Sequence, residues 1–383
     1  MQPTERLFDK DPYMTEFSAT VLCWKQCDGA FFAALDRTAF FPEGGGQFCD
    51  LGTLYNADVL DVQEDESGVI WHKINKPVET GIIVNGKIDF RRRFDFMQQH
   101  SGEHIFSGLA HRHFGATNVG FHLGLDMTTI DLDVPLGEEN INLLEREANE
   151  AIYKNLPIKI SYPSPEELAA LPYRSKKELS GRVRIVTVPG YDICACCGTH
   201  TARTGEIGII KIVSFQNYKG GTRLFMLCGE RALSDYRRKN ADVTKVACSL
   251  SIKPEELCAG VARLSAEITE HKIYESSLKK ELFAVKASSL GSGERKAVFE
   301  ENLSPDEIRR FCLTLSESFD MAAVFCSRDG EWKYAAAAKE RDCRVLSKAL
   351  NDSFCGRGGG KPELVQGSCG GTREEIESLF GTI

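Results

Sequence analysis

His100 and His104, in the run HSGEH, and Cys196 and His200, in CCGTH, are the residues whose types and spacing could do chemistry. Two imidazoles at i and i+4 project from one face of a helix, one turn apart. A thiolate and a third imidazole from a distant segment would complete four N/S donors, the set that Zn²⁺ takes in tetrahedral geometry. Either pair alone says little, because helices carry His pairs as polar surface and a CxxxH arises by chance. Together, in a chain with eight histidines, they point to a metal. Glu103 lies three residues after His100, near the metal-facing side of that helix. It reads either as a general base or as a solvated acid on a polar face. Asp192 reads either as a residue that orients a ligand imidazole or as a turn cap.

The elements that must position these groups follow from patterning. Thr20–Trp24 and Ala30–Leu35 read as strands around an Asp28-Gly29 hairpin turn, and Val69–His72 and Gly81–Ile88 continue the pattern, with Asn85-Gly86 as a further turn. Short strands with glycine-rich turns suggest a small barrel over residues 1–90. Within it, Phe40–Gln47 carries Gly44, Gly45 and Gly46. Three adjacent glycines serve either a tight turn or a backbone surface lining a pocket. From Arg91 the pattern changes. Phe94–His113 reads as the ligand helix, Leu144–Lys154 as a second helix, and Val183–Val188 as a strand that the CxxxH follows directly. Gly208–Val213 and Thr222–Leu227 read as further strands of this mixed α+β region.

Residues 232–288 read as helical. Val261, Leu264, Ile268, Leu278, Leu282 and Val285 fall on a heptad seam interrupted by His271 and Glu275, and Ser288–Gly293 reads as a linker. The last ninety or so residues read as an α/β unit in which Gly356–Lys361 forms a loop that could cradle phosphate.

Composition sets bounds. The 383 residues exceed one typical domain, and 42% hydrophobic and 27% charged content is ordinary for globular proteins. The N-terminus has no basic region followed by an apolar stretch, and no apolar run approaches a membrane span. Fourteen irregularly spaced cysteines read as reduced thiols rather than a secreted disulfide framework, so a cytoplasmic location is expected. A net charge of −8 excludes a generally basic surface but leaves room for a local stripe that binds phosphate.

The runs FFPEGGGQFCDLG, HSGEH, CCGTHTARTGEIG and GRGGGKPELVQG occur in the order found in alanyl-tRNA editing proteins. Over nearly its whole length the chain resembles the long form of the AlaX type, a freestanding relative of the editing and C-terminal regions of alanyl-tRNA synthetase. The resemblance implies an α+β multidomain fold. Its parts would be a small β-barrel at 1–90, a zinc-binding editing domain at 91–235, a coiled-coil-like helical segment at 236–290 for dimerisation, and a C-terminal α/β domain at 291–383 for oligomerisation or tRNA binding. It places zinc on His100, His104, Cys196 and His200, although Cys194 and Cys197 lie within reach. Phe41, Gly44, Gly45, Gly46 and Gln47 match the family's glycine-rich motif. Gln47 and Glu103 become candidate catalytic residues. Gly44, Gly45, Gly46, Thr117 and His122 become candidates for substrate binding, and Arg92, Arg93, Arg203 and Arg223 for contact with the tRNA end. Since no activation domain precedes the barrel in this sequence, the chain is not expected to charge tRNA.

The implied chemistry is physically reasonable. An alanine pocket cannot strongly reject glycine or serine, because differences of roughly 1–3 kcal/mol leave too many errors, and a second site must hydrolyse the wrong ester. That ester is already activated, so its hydrolysis needs no ATP. The leading expectation is a zinc-dependent deacylase of mischarged tRNA(Ala), chiefly Ser-tRNA(Ala) and also Gly-tRNA(Ala), acting as a homodimer through its C-terminal region. The alternatives are a non-catalytic RNA-binding module with structural zinc and a zinc esterase for small molecules.

Overall fold

The computed structural model describes residues 1–175, 183–328 and 330–383. Contacts divide the chain into two compact units, Met1–Thr244 and Lys245–Ile383. The fold is mixed α+β.

The first unit begins with a closed six-stranded barrel. Around it run Glu16–Cys27, Ala30–Leu35, Ile70–Ile74, Ala57–Glu64, Gly52–Leu54 and Ile83–Ile88, the last pairing back to the first. Alternate residues point inward, so Phe17, Ala19, Val21, Leu35, Val59, Val62, Ile70 and Ile74 fill the core. The expected hairpin turn is present, with φ of 51° at Asp28 and 76° at Gly29, the left-handed pair that a two-residue hairpin needs. The turn expected at Asn85-Gly86 is absent, and both residues lie inside the strand Ile83–Ile88. Asn85 accepts a hydrogen bond from Ser18 across the ladder, and a side chain at 86 would collide with the Phe17 ring. That glycine serves close packing rather than chain reversal.

After the barrel comes the helix Phe90–Phe114. Asp89 caps its start by accepting from the Arg92 amide, and Gly115 ends it in a left-handed conformation. This helix and Glu138–Tyr153 share a core with an antiparallel sheet ordered Ile210–Tyr218, Gly221–Cys228, Thr128–Leu132, Asn118–Leu123. Ile105, Phe106, Leu109, Leu144, Ile130, Leu224 and Met226 are among its members. A second antiparallel sheet joins Lys159–Ser161, Ile185–Val188 and Asp192–Ala195. The CxxxH therefore follows Asp192–Ala195, a short strand absent from the sequence reading, rather than the strand ending at Val188.

In the second unit a helix spans Leu257–Ser289, so half of the expected linker at Ser288–Gly293 is taken up by its last turn and by a strand starting at Gly293. The sheet runs Gly293–Glu301, Phe319–Arg328, Glu331–Ala338, Leu364–Cys369, Arg357–Lys361. Period-two alternation splits Phe319–Arg328 between two cores. Met321, Ala323 and Phe325 meet the helices Arg344–Ser353 and Arg373–Thr382, while Ala322, Val324 and Cys326 meet Pro305–Ser316. Gly356–Lys361 is largely not a loop, because Arg357–Lys361 forms the edge strand, paired with Leu364–Cys369. Its glycines allow close approach: a side chain at 358 would collide with the Tyr334 hydroxyl.

Candidate metal centre

The helix Phe90–Phe114 is buried along most of its length, including the polar residues Gln98, Gln99, His100, Ser101, Glu103, His104 and Ser107. Buried polar groups need partners, and these have them. Gln99, for example, bonds both the amide and the carbonyl of Cys228. His100 and His104 present one face of the helix to the loop that follows Asp192–Ala195.

There the four expected donors converge. His100, His104, Cys196 and His200 each offer a ligand atom, and these atoms lie within 4.8 Å of one another. The Cys196 sulfur is 3.3 Å from His100 Nε2 and 3.4 Å from His200 Nε2. The His200 ring lies 4.6 Å, centre to centre, from those of both His100 and His104. A tetrahedral zinc with ordinary Zn–N and Zn–S bonds separates its donors by about 3.3–3.7 Å, so the spacing fits.

The other nitrogen of each ring is engaged. His100 Nδ1 is 3.1 Å from Gln47 Oε1, His104 Nδ1 is 2.9 Å from Asp192 Oδ2, and His200 Nδ1 is 3.4 Å from Ser101 Oγ. Partners of this kind fix ring orientation and leave Nε2 for a metal. Asp192 thus orients the His104 imidazole rather than capping a turn. It is held in turn by Arg174, with Nε 2.8 Å from Oδ1 and Nη2 2.9 Å from Oδ2.

Electrostatics agree with the donor set at Cys196 and His200, whereas at His104 burial is outweighed by the hydrogen bonds to Asp192 and Cys196, which raise its pKa well above 6.5, so a metal there displaces a proton. Burial opposes the Cys196 thiolate, but the flanking imidazoles of His100 and His200 and hydrogen bonds from His100 and His104 outweigh it and hold the thiol well below its ordinary value. Burial pushes the Cys194 and Cys197 thiols up. Cys194 lies beside His104 and Asp192 and is not grouped with all three histidines. Burial keeps His200 neutral, its pKa pushed down to about 3, which suits a ligand nitrogen. Burial also disfavours the Asp192 carboxylate, yet the bonds from His104 and Arg174 prevail and lower its pKa.

The remaining candidates are distributed differently. Gln47 is completely buried and reaches from the barrel into the centre. Gly46 lies against the strand Asn118–Leu123, its carbonyl accepting from the Leu123 amide at 3.1 Å. A Cβ at 46 would lie 2.9 Å from the Phe121 ring, and Phe121 itself packs 5.2 Å from His100. Gly45 faces open space, and Gly44 pairs with Gln47 across the turn. Glu103 is buried and accepts from Ser107 and Asn118, outside the four-donor group. Thr117 and His122 are exposed: Asp133 accepts from the Thr117 amide, and His122 packs edge-on against Phe48. Among the arginines, Arg93 is completely buried by Asp50 and backbone carbonyls and is not placed to meet phosphate. Arg92 donates to the Cys49 carbonyl, Arg203 to the Asn155 carbonyl, and Arg223 pairs with Asp131.

Sequence reasoning missed Ser101, Arg174, Arg184, Gly198 and Thr199. Arg184 holds the ligand loop by donating to the carbonyls of Cys196 at 2.8 Å and Gly198 at 2.9 Å. Gly198 leaves room for the His100 ring, which a side chain there would strike. Its place inside CCGTH was the one available signal.

With the geometry established, the similarities to known proteins can be set beside it. Residues 183–225 match the family described as threonyl and alanyl tRNA synthetase second additional domain, a segment that contains Cys196 and His200. The chain is 29% identical to alanyl-tRNA editing protein AlaX-L of Pyrococcus horikoshii, over 97% of this chain and 96% of that one. It is therefore a relative of the long AlaX-type editing proteins along its whole length, as its motifs indicated. It is also 32% identical to the alanine–tRNA ligase of Halobacterium salinarum over 85% of this chain, and 29% identical to that of Ignicoccus hospitalis over 98%. The chain spans about two fifths of the length of those ligases. The C-Ala domain of Aquifex aeolicus alanyl-tRNA synthetase, at 14% identity, aligns with 23% of this chain with a TM-score of 0.20, too low to support an argument about fold.

Proposed function

We propose that this chain is a zinc-dependent deacylase that hydrolyses the aminoacyl ester of mischarged tRNA(Ala), chiefly Ser-tRNA(Ala) and also Gly-tRNA(Ala). The observation that carries the proposal is the buried convergence of three imidazoles on one thiol, each imidazole held by a hydrogen-bond partner on its far nitrogen. The full-length similarity to an alanyl-tRNA editing protein supplies the substrate class. Among the described residues no helix is long and apolar enough to cross a membrane.

His100, His104, Cys196 and His200 would hold the ion. Bound there, zinc would polarise the ester carbonyl, lower the pKa of a water, or orient the substrate amine. The chain's own groups do the rest. Asp192 and Arg174 hold His104, Ser101 holds His200, and Gln47 holds His100. Gly46 lies against Phe121, the ring packed on His100, and the Gly44 amide already donates to the Gln47 carbonyl, so the Gly45 and Gly46 amides are the ones that suit a small acyl group. Ser107 and Asn118 both donate to Glu103 Oε1, so a role as base would fall to the other carboxylate oxygen.

A second reading has one observation in its favour. Four protein donors complete a tetrahedron, as in structural zinc sites, whereas catalytic sites usually keep a position open. A structural-zinc module that binds tRNA without hydrolysis fits that count.

The test is a deacylation panel with Ser-, Gly- and Ala-tRNA(Ala). Release of serine by the purified protein, lost in Cys196→Ala, supports the deacylase. Tight binding of the same tRNA with no release of any amino acid supports the structural reading and overturns the deacylase.

A further inference from the structure

The barrel contributes one side chain to the buried donor cluster, and its hydrogen-bonding state can be deduced from its partners. Gln47 bonds Thr199 twice. Its Oε1 lies 3.3 Å from the Thr199 amide nitrogen, and its Nε2 lies 2.9 Å from Thr199 Oγ1. A backbone N–H can only donate, so the atom facing it must be the amide oxygen. That oxygen accepts only, and it also lies 3.1 Å from His100 Nδ1. Hence Nδ1 of His100 carries a proton, and Nε2, which faces Cys196, is the nitrogen that a metal can take.

The ring has little freedom otherwise. Phe121 packs 5.2 Å from it on one side, and Gly198 sits so close that a Cβ there would overlap the ring and lie 3.0 Å from Gln47 Oε1. Gln47 has no exposed surface, so water does not substitute for its oxygen.

We infer that Gln47 is a positioning residue that sets the tautomer and orientation of His100, so that the barrel completes a metal centre whose donors all lie outside it. The inference rests on the proposal that the four donors hold zinc. It assigns Gln47 no direct part in the chemistry and links the glycine-rich loop, one residue away, to metal affinity. Loss of such a hydrogen-bond partner typically weakens metal binding by roughly 10–100-fold.

The experiment titrates full-length protein, stripped of metal, with Co²⁺ while following visible absorption, and then with Zn²⁺ against a chelating indicator. Gln47→Leu keeps the volume but removes the acceptor, and should lower affinity by about 10–100-fold. Gln47→Glu keeps an acceptor for His100 and for the Thr199 amide, and should retain most of the wild-type affinity. Nitrogen NMR of ¹⁵N-His protein before metal addition should show the Nδ1–H form of His100 in wild type and in Gln47→Glu, and a tautomer mixture in Gln47→Leu. This readout does not depend on activity, and a purely structural loss would not shift one ring selectively. If Gln47→Leu fails to fold, the NMR of wild type and the affinity of Gln47→Glu decide. Nδ1 unprotonated in the former, or a tenfold or greater loss in the latter, overturns the inference. Wild type that binds metal alongside a folded Gln47→Leu of equal affinity overturns the inference alone. Wild type that binds neither ion overturns the zinc proposal and the inference with it.

Discussion

Arg93, on the helix that carries two of the candidate ligands, and Asp50, in the barrel, form a completely buried ion pair, with Nε 2.9 Å from each carboxylate oxygen. Arg93 also donates to the carbonyls of Ala39 and Pro12, and Asp50 accepts from the Phe41 amide. The pair ties the ligand helix to the loop bearing the glycines. Removing one partner strands a buried charge, at a cost of about 3–5 kcal/mol. Asp50→Ala should therefore lower unfolding free energy by that amount in urea denaturation. A loss below about 1 kcal/mol would show that water or a neighbour replaces the carboxylate.

Metal analysis tests the ligand set directly. Cys196→Ser, His104→Ala and His200→Ala should purify with reduced zinc, while Cys194→Ala and Cys197→Ala should keep the wild-type amount. Chelation should also destabilise the protein. An ion that binds only the folded state contributes about 4 kcal/mol when free metal stands at about 1,000 times its dissociation constant. Unchanged unfolding with and without chelator would discard the site.

Two adjacent glycines separate backbone strain from packing. Gly45 and Gly46 have φ of 61° and 85°, so alanine at either costs about 1–2 kcal/mol in the left-handed region. Only at 46 does the new Cβ meet Phe121, the ring packed on His100. Gly46→Ala should thus slow deacylation of Ser-tRNA(Ala) several-fold more than Gly45→Ala. Equal effects would make the loop a plain turn.

The barrel core should confer pH dependence through His72. Burial pushes its pKa from 6.5 down to about 4, and its ring faces Thr38 Oγ1 and the Ala33 carbonyl. The folded state excludes a proton that the unfolded chain accepts. The resulting stability is complete above pH 6.5 and falls as pH drops towards about 4. The total loss is roughly 3 kcal/mol, about 2 of it between pH 7 and 5. His72→Gln should be less stable than wild type at pH 7 but lose less on acidification, so the two stabilities should converge near pH 5. Parallel pH curves would rule out this role for His72.

Assembly can be checked by sedimentation. Val261, Leu264, Ile268, Leu278, Leu282 and Val285 are all exposed on the helix Leu257–Ser289. An apolar row of this kind is unusual on a soluble monomer. A homodimer at micromolar concentration is expected, and Leu264→Glu together with Leu278→Glu should shift it to monomer. A full-length monomer would refute the expectation.

How much of this was legible in the sequence varied with how local the signal is. The four donors were legible because histidine is scarce here, the i, i+4 spacing belongs to a helix, and zinc chemistry restricts residue types. The Asp28-Gly29 turn was legible because its conformation depends on the two residues themselves. Asn85-Gly86 carries the same kind of turn signal and was misread, because the need for glycine came from Phe17 on a neighbouring strand. The Gly358 region was misread for the same reason, its constraint lying in Tyr334.

The sequence by itself determined which atoms can bind a metal and which of the longer segments are helical or extended, since both follow from residue type and period, whereas the short strands Asp192–Ala195 and Arg357–Lys361 escaped it. Only the tertiary structure decided that Cys196 rather than Cys194 or Cys197 meets the three histidines, that Glu103 is bonded to Ser107 and Asn118, and that Gln47 reaches His100. Those are contacts between residues far apart in the chain. They depend on how a barrel loop, a buried helix and a strand end are packed together, and a hydrogen bond of about 3 Å has no counterpart in sequence spacing.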